Sequence, residues 1–495
     1  MKSVGIRVPH HVTVIFDDRI PPPPEAVAII GKVPFSRIVR RRKRFGTEIQ
    51  AAAESAHCAF QIIETDEAAS ALAHHIETRG PGFLYLLLPS CIAPLYMEQL
   101  TLVMKKSAFA LESTFLAPIS GDAAAVILKE KDAIAFLRAE DTEDRRNILL
   151  RLSEAAPEMV DRVSLVDIRK PRSLFKFLVG STEARHFNDT LAEDGVFHKS
   201  SSDIAKMEAE YRYFHVAPEE MKRFLMPTFY FWAKGGKGGY SMEHLPVPDV
   251  ALQFIHGALK PADFDLLLDN FFAFLASRRK GSDNAAHTLA EGRRHIVEKF
   301  DARIERFLDT KEGQKLDAIL ISAGPRGNLR AMQAAARPFI EKALEQFSGT
   351  HLVFGHGDPC FSNILFDKRL GLMRLIDPKG ATSFEAGLMH PLYDVAKFSH
   401  SVLGGYDFIN NALFNCSLND QLVMECHLDE GGPPTWAQDA FRDRLEKAGL
   451  DVGAVRAVEL SLFLSMLPLH SDRPNKLMGF ALTAATILDD LESRA

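Results

Sequence analysis

The chain has only five cysteines in 495 residues, at positions 58, 91, 360, 416 and 426, and none falls into C-x-x-C spacing. That argues against both a disulfide framework and a zinc site, and it fits a reducing compartment. Charge of one sign is lacking as well. A net charge of -6 with 25% charged residues exerts no global pull toward nucleic acid or an anionic membrane, so neither is expected as a partner. No long hydrophobic run is present: the most apolar stretch, "GFLYLLLPSCIAPLYM", is short and carries two prolines. The opening "MKSVGIRVPHHVTVIFDD" lacks a positive region, an apolar stretch and a small-residue cleavage site, so no secretory signal is read and a cytoplasmic protein is expected. No internal repeat is visible. The local exception in charge is "RIVRRRKRFG", with Arg37 and the unbroken run Arg40 to Arg44. A solvated face is the ordinary reading of such a run, and a local anion or phosphate site is the other.

What is present is ordinary globular material, 46% hydrophobic, in a chain longer than one core usually supports. The first third alternates β-rich runs ("HVTVIFDD", "AVAIIGKV", "CAFQIIET", "GFLYLLLP", "STFLAPI", "AAAVILKE") with helical patterns such as "EAASALAHHIETR". This predicts an α/β domain with a parallel or mixed sheet over 1–165. "FKFLVGSTEARHFNDTLAEDGVFHKSSS" then reads as an antiparallel hairpin. It is followed by the helix "DIAKMEAEYRYF" and a strand pair turning at "AKGGKGG", a small β-rich lobe over 166–247. Long amphipathic helices dominate 248–495. The expected fold is therefore an α/β N-terminal domain followed by an α+β two-lobed domain.

The sharpest signal is "HGDPCFSNILFD" at 356–367, which sets His356, Asp358 and Asn363 between two apolar runs, with Asp377 ending "LMRLI" further on. An aspartate beside a substrate hydroxyl can accept its proton. An amide oxygen and a second carboxylate can supply oxygen ligands to the Mg²⁺ of ATP. The alternative is a structural turn in which Asp358 and Asn363 cap backbone groups. Upstream, Lys199 ends the strand "GVFHKSS"; a surface lysine is one reading, and a lysine that pairs with a helix glutamate and reaches the α- and β-phosphates of a nucleotide is the other. On "DIAKMEAEYRYF", Ile204, Met207, Tyr211 and Phe214 mark the apolar face, and Glu208 and Glu210 flank it symmetrically, so periodicity leaves both open.

These motifs, together with "FNDTLAEDGVFHKSSS", "LIDPKG", "YDVAKFSHSVLGGYDFI" and "LSMLPLHSD", resemble the aminoglycoside phosphotransferase and choline kinase families. These are small-molecule relatives of the protein kinases. In look the motifs are nearer still to phosphotransferase-like proteins of capsule and surface-polysaccharide biosynthesis. The resemblance spans about 175–495 and implies a protein-kinase-like fold that uses ATP and Mg²⁺ on a small-molecule hydroxyl acceptor. It makes Asp358 the catalytic base, His356 its loop support, and Asn363 and Asp377 the metal ligands. Asp394 resembles the aspartate that steadies the catalytic loop, a helix N-terminal carboxylate being its alternative. The resemblance favours Glu210 over Glu208, and makes Glu243 to Leu245 in "YSMEHL" the adenine-reading hinge.

Two departures stand out. The phosphate-covering loop "LVGSTEARHF" has only Gly180, leaving Ser181 and Thr182 as donors. The metal aspartate is followed by Pro-Lys-Gly, which makes Lys379 a candidate contact for a phosphate or an anionic substrate. For the acceptor, Glu425, Asp429, Glu430, Trp436 and Tyr406 would suit a cationic amino alcohol, whereas His470, Asp472, Arg473 and Lys476 would suit a sugar or a phosphorylated compound. The N-terminal domain offers Asp17 and Asp18 at a strand end, loosely like nucleotidyltransferase and GT-A glycosyltransferase sheets, but no glycine-rich nucleotide signature follows. The rival readings are a transferase acting through that domain, a non-catalytic nucleotide-binding scaffold, and for the first domain a docking role toward a substrate, a partner or a second copy of the chain.

Overall fold

The computed structural model describes residues 11–80, 82–155, 163–179, 188–193, 195–281, 284–347, 351–471 and 473–494. The chain forms two compact units, Met1–Glu183 and Ala184–Ala495. The division falls at 183/184 rather than at 165. Leu165–Asp167 pairs antiparallel with Ile92–Pro94 and so belongs to the first unit.

The first unit is built on a mixed sheet of β1 (His11–Asp17), β2 (Ala59–Ile63), β3 (Phe83–Pro89), β4 (Thr114–Phe115) and β5 (Val126–Lys129), in the order β2-β1-β3-β5-β4. β1 runs parallel to β2 and β3, and β5 runs antiparallel to β3 and β4. Both faces of β1 and β3 are covered, which is why their sequences read as continuous apolar runs instead of alternating ones. Ile15, Tyr85 and Leu87 share one face with Ala69, Ala73 and Ile76 of the helix Asp66–Arg79. On the other face Phe16 meets Phe45 edge-on, with ring centroids 5.4 Å apart.

Two runs expected to be strands are helices. The "AVAII" of "AVAIIGKV" lies in α1 (Pro24–Ile30), and "SLFKFLV" lies in α2 (Pro171–Val179). In α1 a proline opens the first turn, Ala26, Ile29 and Ile30 are buried at helical spacing, and Gly31 at φ 69° stops the helix. α2 likewise opens on proline and buries Leu174, Phe177 and Leu178. The basic run folds into a hairpin, Val39–Arg40 against Lys43–Arg44, with Arg41 and Arg42 at positive φ in the turn. Arg40 points inward, donating from Nη1 to Pro94 O at 3.0 Å and lying 4.5 Å from the Phe177 ring, so the run is not simply a solvated face.

The second unit opens with an antiparallel sheet of β6 (Asn188–Glu193), β7 (Val196–Ser201), β8 (Thr228–Lys234) and β9 (Lys237–Glu243), in the order β6-β7-β9-β8. One helix, α3 (Ile204–Val216), packs on it, capped by Asp203, whose side chain accepts from Lys206 N. Met207 of α3 meets Met226, Tyr240 and Met242 in a small buried cluster. The rest of the unit is mainly helical. It is interrupted by the short strand Val353–Phe354 and the hairpin of β10 (Ile364–Asp367) with β11 (Leu372–Leu375). The expected α/β domain followed by a two-lobed α+β domain is the observed architecture. Among the described residues no helix is long and apolar enough to cross a membrane.

Candidate active site

Lys199 lies in register with Tyr240 of β9, and the stem of its side chain is buried between the sheet and α3. Its Nζ donates to Glu210 Oε2 at 2.6 Å and to Asp377 Oδ1 at 2.9 Å. Tyr240 adds a 3.0 Å hydrogen bond to the same Glu210 oxygen. Burial opposes the Lys199 charge, but the Asp377 and Glu210 carboxylates outweigh it and raise its pKa. Glu208 faces the other way, bound to Arg212 at 2.8 Å on an exposed surface. The choice that periodicity left open thus resolves geometrically to Glu210.

Asp377 follows β11 and takes a left-handed backbone (φ 54°), strained for a residue with a side chain. The next turn explains how the strand end reaches α3. Gly380, at φ 91°, lies so close to the helix that a Cβ there would stand 2.9 Å from the Ala209 carbonyl carbon, and Ala381 N donates to Ala209 O at 3.0 Å. Only glycine permits that approach, and it brings Asp377 to Lys199.

The loop 356–363 is fixed from beneath. His356 is buried, and burial lowers its pKa. Its Nδ1 accepts from Asp358 N at 3.3 Å, as a neutral imidazole can. Asp394, on the buried face of α4 (Leu392–Val402), accepts from His356 N at 3.1 Å, from Gly357 N at 2.7 Å and from Arg278 Nη1 at 3.2 Å. It holds the loop and does not cap its own helix. Tyr213 of α3 donates to Gly355 O at 2.9 Å, tying the helix that carries Glu210 to the same loop. Phe361 anchors the far end against Phe254 and Phe398. Asn363 Nδ2 donates to Asp358 O at 2.9 Å, so this bond does not use the amide oxygen. The Asp377 carboxylate is half-exposed, and an amide oxygen and a carboxylate are the hard ligand types that Mg²⁺ takes. A small recess at Asp377 is lined by Glu210, Tyr213, Met226, Met242, His356 and Leu375.

The sequence reading missed Lys397. Its Nζ lies 3.0 Å from Asp358 Oδ1, and the side chain is largely buried. Burial disfavours its charge, yet the Asp358 and Tyr393 oxygens outweigh that effect and keep it protonated. The available signal was a lone lysine three residues after Asp394 on a helix whose other residues are buried.

The remaining expectations are distributed differently. Glu243 ends β9 opposite Val196, and the Leu245 carbonyl already accepts from Val247 N at 2.8 Å. Ser181 and Thr182 lie outside the described residues, as does Asp472. The two aromatic residues considered for the acceptor pack against other rings. Tyr406 stacks on His400 at 4.1 Å, and Trp436 meets Phe264 edge-on. Glu425 accepts from Asn419 at 2.7 Å. Lys476 is buried and donates to Asn410 Oδ1 at 3.0 Å, and His470 is buried against Phe480. In the first unit Arg19 clamps Asp17 through Nε and Nη2, at 2.9 and 2.8 Å, while burial raises the pKa of Asp18. Among the described residues no three His, Cys, Asp or Glu side chains gather as a metal site.

No family model and no curated protein matches the chain. Solved structures do. A thermostable mutant of the aminoglycoside phosphotransferase APH(4)-Ia matches in its apo form with 12% identity and a TM-score of 0.36, over 64% of this chain and 98% of that one. Its ternary complex with AMP-PNP and hygromycin B matches over the same shares, with 12% identity and a TM-score of 0.37. Its complex with ADP and hygromycin B matches with 14% identity and a TM-score of 0.37. Likeness at that level supports no inference, and the reading below rests on the geometry of the site.

Proposed function

We propose that the chain is an ATP-dependent phosphotransferase with a protein-kinase-like second unit, acting on a hydroxyl of a small metabolite. A precursor or decoration of surface polysaccharide is the acceptor class the sequence motifs favour. What supports the reading above all is the junction of Lys199 with both Glu210 and Asp377, three residues from a sheet, a helix and a strand end. A buried lysine between two carboxylates has little structural economy, but it is the arrangement that aligns a nucleotide's phosphates. Asp358 then stands as the base that orients the acceptor hydroxyl and takes its proton, with Lys397 beside it to hold charge developing on the transferred group. Bound Mg²⁺, held by Asn363 and Asp377, would neutralise phosphate charge. Lys199 would position the phosphates, Asp394 would keep the loop rigid, and the neutral His356 would hold the Asp358 backbone.

The test is ADP release and acceptor phosphorylation across sugars, sugar phosphates and amino alcohols, compared between the parent and Asp358→Asn. Turnover should fall by a factor on the order of a thousand, with Mg·ATP binding retained. Undiminished turnover removes Asp358 as the base. Activity that survives there but is lost in Asp17→Ala with Asp18→Ala moves the chemistry to the first unit.

A further inference from the structure

The surroundings of Asp358 are basic. Tyr393 and Lys397 of α4, Lys299 at the start of the helix Lys299–Leu308, and Lys379 of the Asp-Pro-Lys-Gly turn lie close enough to interact there. Lys299 Nζ donates to the Tyr393 hydroxyl at 3.0 Å and lies 5.3 Å from its ring centroid. Lys379 is fixed to the loop by its backbone, with N donating to His356 O at 2.9 Å. Its stem lies so close to Gly357 that a Cβ there would stand 2.7 Å from the Lys379 Cβ. The buried Tyr393 hydroxyl is surrounded by cations: burial raises its pKa, but the Lys299 and Lys397 ammoniums, with Lys379 beyond them, outweigh burial and lower it.

Nearby carboxylates are otherwise engaged. Glu291 pairs with Arg294, Asp301 with Arg337, Asp394 with Arg278, and Asp358 with Lys397. Among the described residues neither Lys299 nor Lys379 has a carboxylate within ion-pair distance. Three ammonium groups beside a catalytic carboxylate, two without a counter-charge, form a site that lacks an anion. A cationic amino alcohol or aminosugar would meet repulsion there, and Glu425, one of the acidic residues considered for such an acceptor, is engaged with Asn419 and His427.

We infer that the acceptor is an anionic hydroxyl compound, a sugar phosphate or similarly phosphorylated polyol, whose phosphate is held by Lys299 and Lys379 with the Tyr393 hydroxyl while its hydroxyl faces Asp358. This rests on the phosphotransferase reading and names its substrate class. The same chemistry could serve the terminal phosphate of the nucleotide, so the test separates the two.

Inorganic phosphate is titrated onto the full chain loaded with Mg·AMP-PNP, whose triphosphate fills its own site. The parent should bind phosphate. Lys299→Gln and Lys379→Gln should each weaken binding by about tenfold or more, and Lys299→Arg should retain it. In turnover, the phosphorylated member of the pairs ribose and ribose 5-phosphate, or glycerol and glycerol 3-phosphate, should show a kcat/KM at least about tenfold higher. The inference is overturned if the parent binds no phosphate, if the glutamine variants bind it as the parent does, or if the neutral or cationic acceptor is preferred. Competition between AMP-PNP and phosphate would assign the lysines to the nucleotide and overturn it as well. Failure of AMP-PNP to bind sinks the phosphotransferase reading instead. Phosphate titrated onto the unliganded protein then still reports on Lys299 and Lys379.

Discussion

Asp394→Asn separates two physical accounts of one residue. A carboxylate that merely complements the first turn of its helix is worth about 0.3–1 kcal/mol. The observed Asp394 is fully buried and accepts three hydrogen bonds: from His356 N, from Gly357 N, and from the guanidinium of Arg278, itself only 7% exposed. An asparagine of the same shape has one acceptor oxygen, so one of the three donors must face its NH₂ group and stay unpaired, at about 1–3 kcal/mol. Arg278 also loses its only charged partner among the described residues. Breaking a buried ion pair costs about 3–5 kcal/mol. Arg278 keeps two carbonyls, Pro391 O and Leu275 O, each at 3.2 Å, which places the total near the lower end, about 3 kcal/mol. At roughly 2–4 °C per kcal/mol for a large domain, Tm should fall by about 6–12 °C. Urea unfolding of the parent, Asp394→Asn, Arg278→Met and the double variant closes a cycle whose coupling should exceed about 1 kcal/mol. A loss under about 0.5 kcal/mol in Asp394→Asn, or additivity in the cycle, refutes the loop-holding account and leaves the helix-end one.

Glu210→Gln keeps the hydrogen bond from Tyr240 but leaves Asp377 as the one charged neighbour of Lys199 at ion-pair distance. It should cost about 1–3 kcal/mol and weaken Mg·ATP binding, whereas Glu208→Gln should stay within about 0.5 kcal/mol; equal losses in denaturant melts would contradict the assignment. For pH, burial lowers the pKa of His356 and His400, and brings His295 and His390 to about 4, so the unfolded chain binds protons the folded one refuses as pH falls below 6.5. Burial also raises the pKa of Asp407 to about 7, Asp249 to about 6, and Glu459, and these work in the opposite direction. The histidines outnumber the carboxylates, so the unfolded chain takes up more protons than the folded one and stability should fall from pH 6.5 toward 5. A melting temperature that stays flat or rises over that range would contradict this balance.

Much of the candidate site was legible because its parts are short-range. The spacing of His356, Asp358 and Asn363 fits one loop, and Lys199 and the helix bearing Glu210 are neighbours in sequence. The misread elements share a cause. "AVAIIGKV" and "SLFKFLV" are apolar runs too short for their period to distinguish a strand from a helix, and the deciding signals were the prolines Pro24 and Pro171 at the first helical position. The Glu208 and Glu210 ambiguity could not be settled from α3 alone. Both flank its apolar face, and what separates them is Lys199, brought near by pairing between β7 and β9.

Lys397 and the basic face belong to a different category. Lys299, Lys379 and Lys397 are scattered over about a hundred residues, and each is unremarkable where it stands in the sequence. Their meeting depends on α4 turning Asp394 and Lys397, three apart and so on the same side, toward one loop. Asp394 grips the loop amides, Lys397 meets Asp358, and Tyr393 between them is reached by Lys299 from another helix. A residue whose helical neighbour already anchors the loop has its position set by that anchor. The charge of Lys397 is therefore held next to Asp358 by the contacts of Asp394, and Asp394→Asn should disturb acceptor phosphorylation more than nucleotide binding.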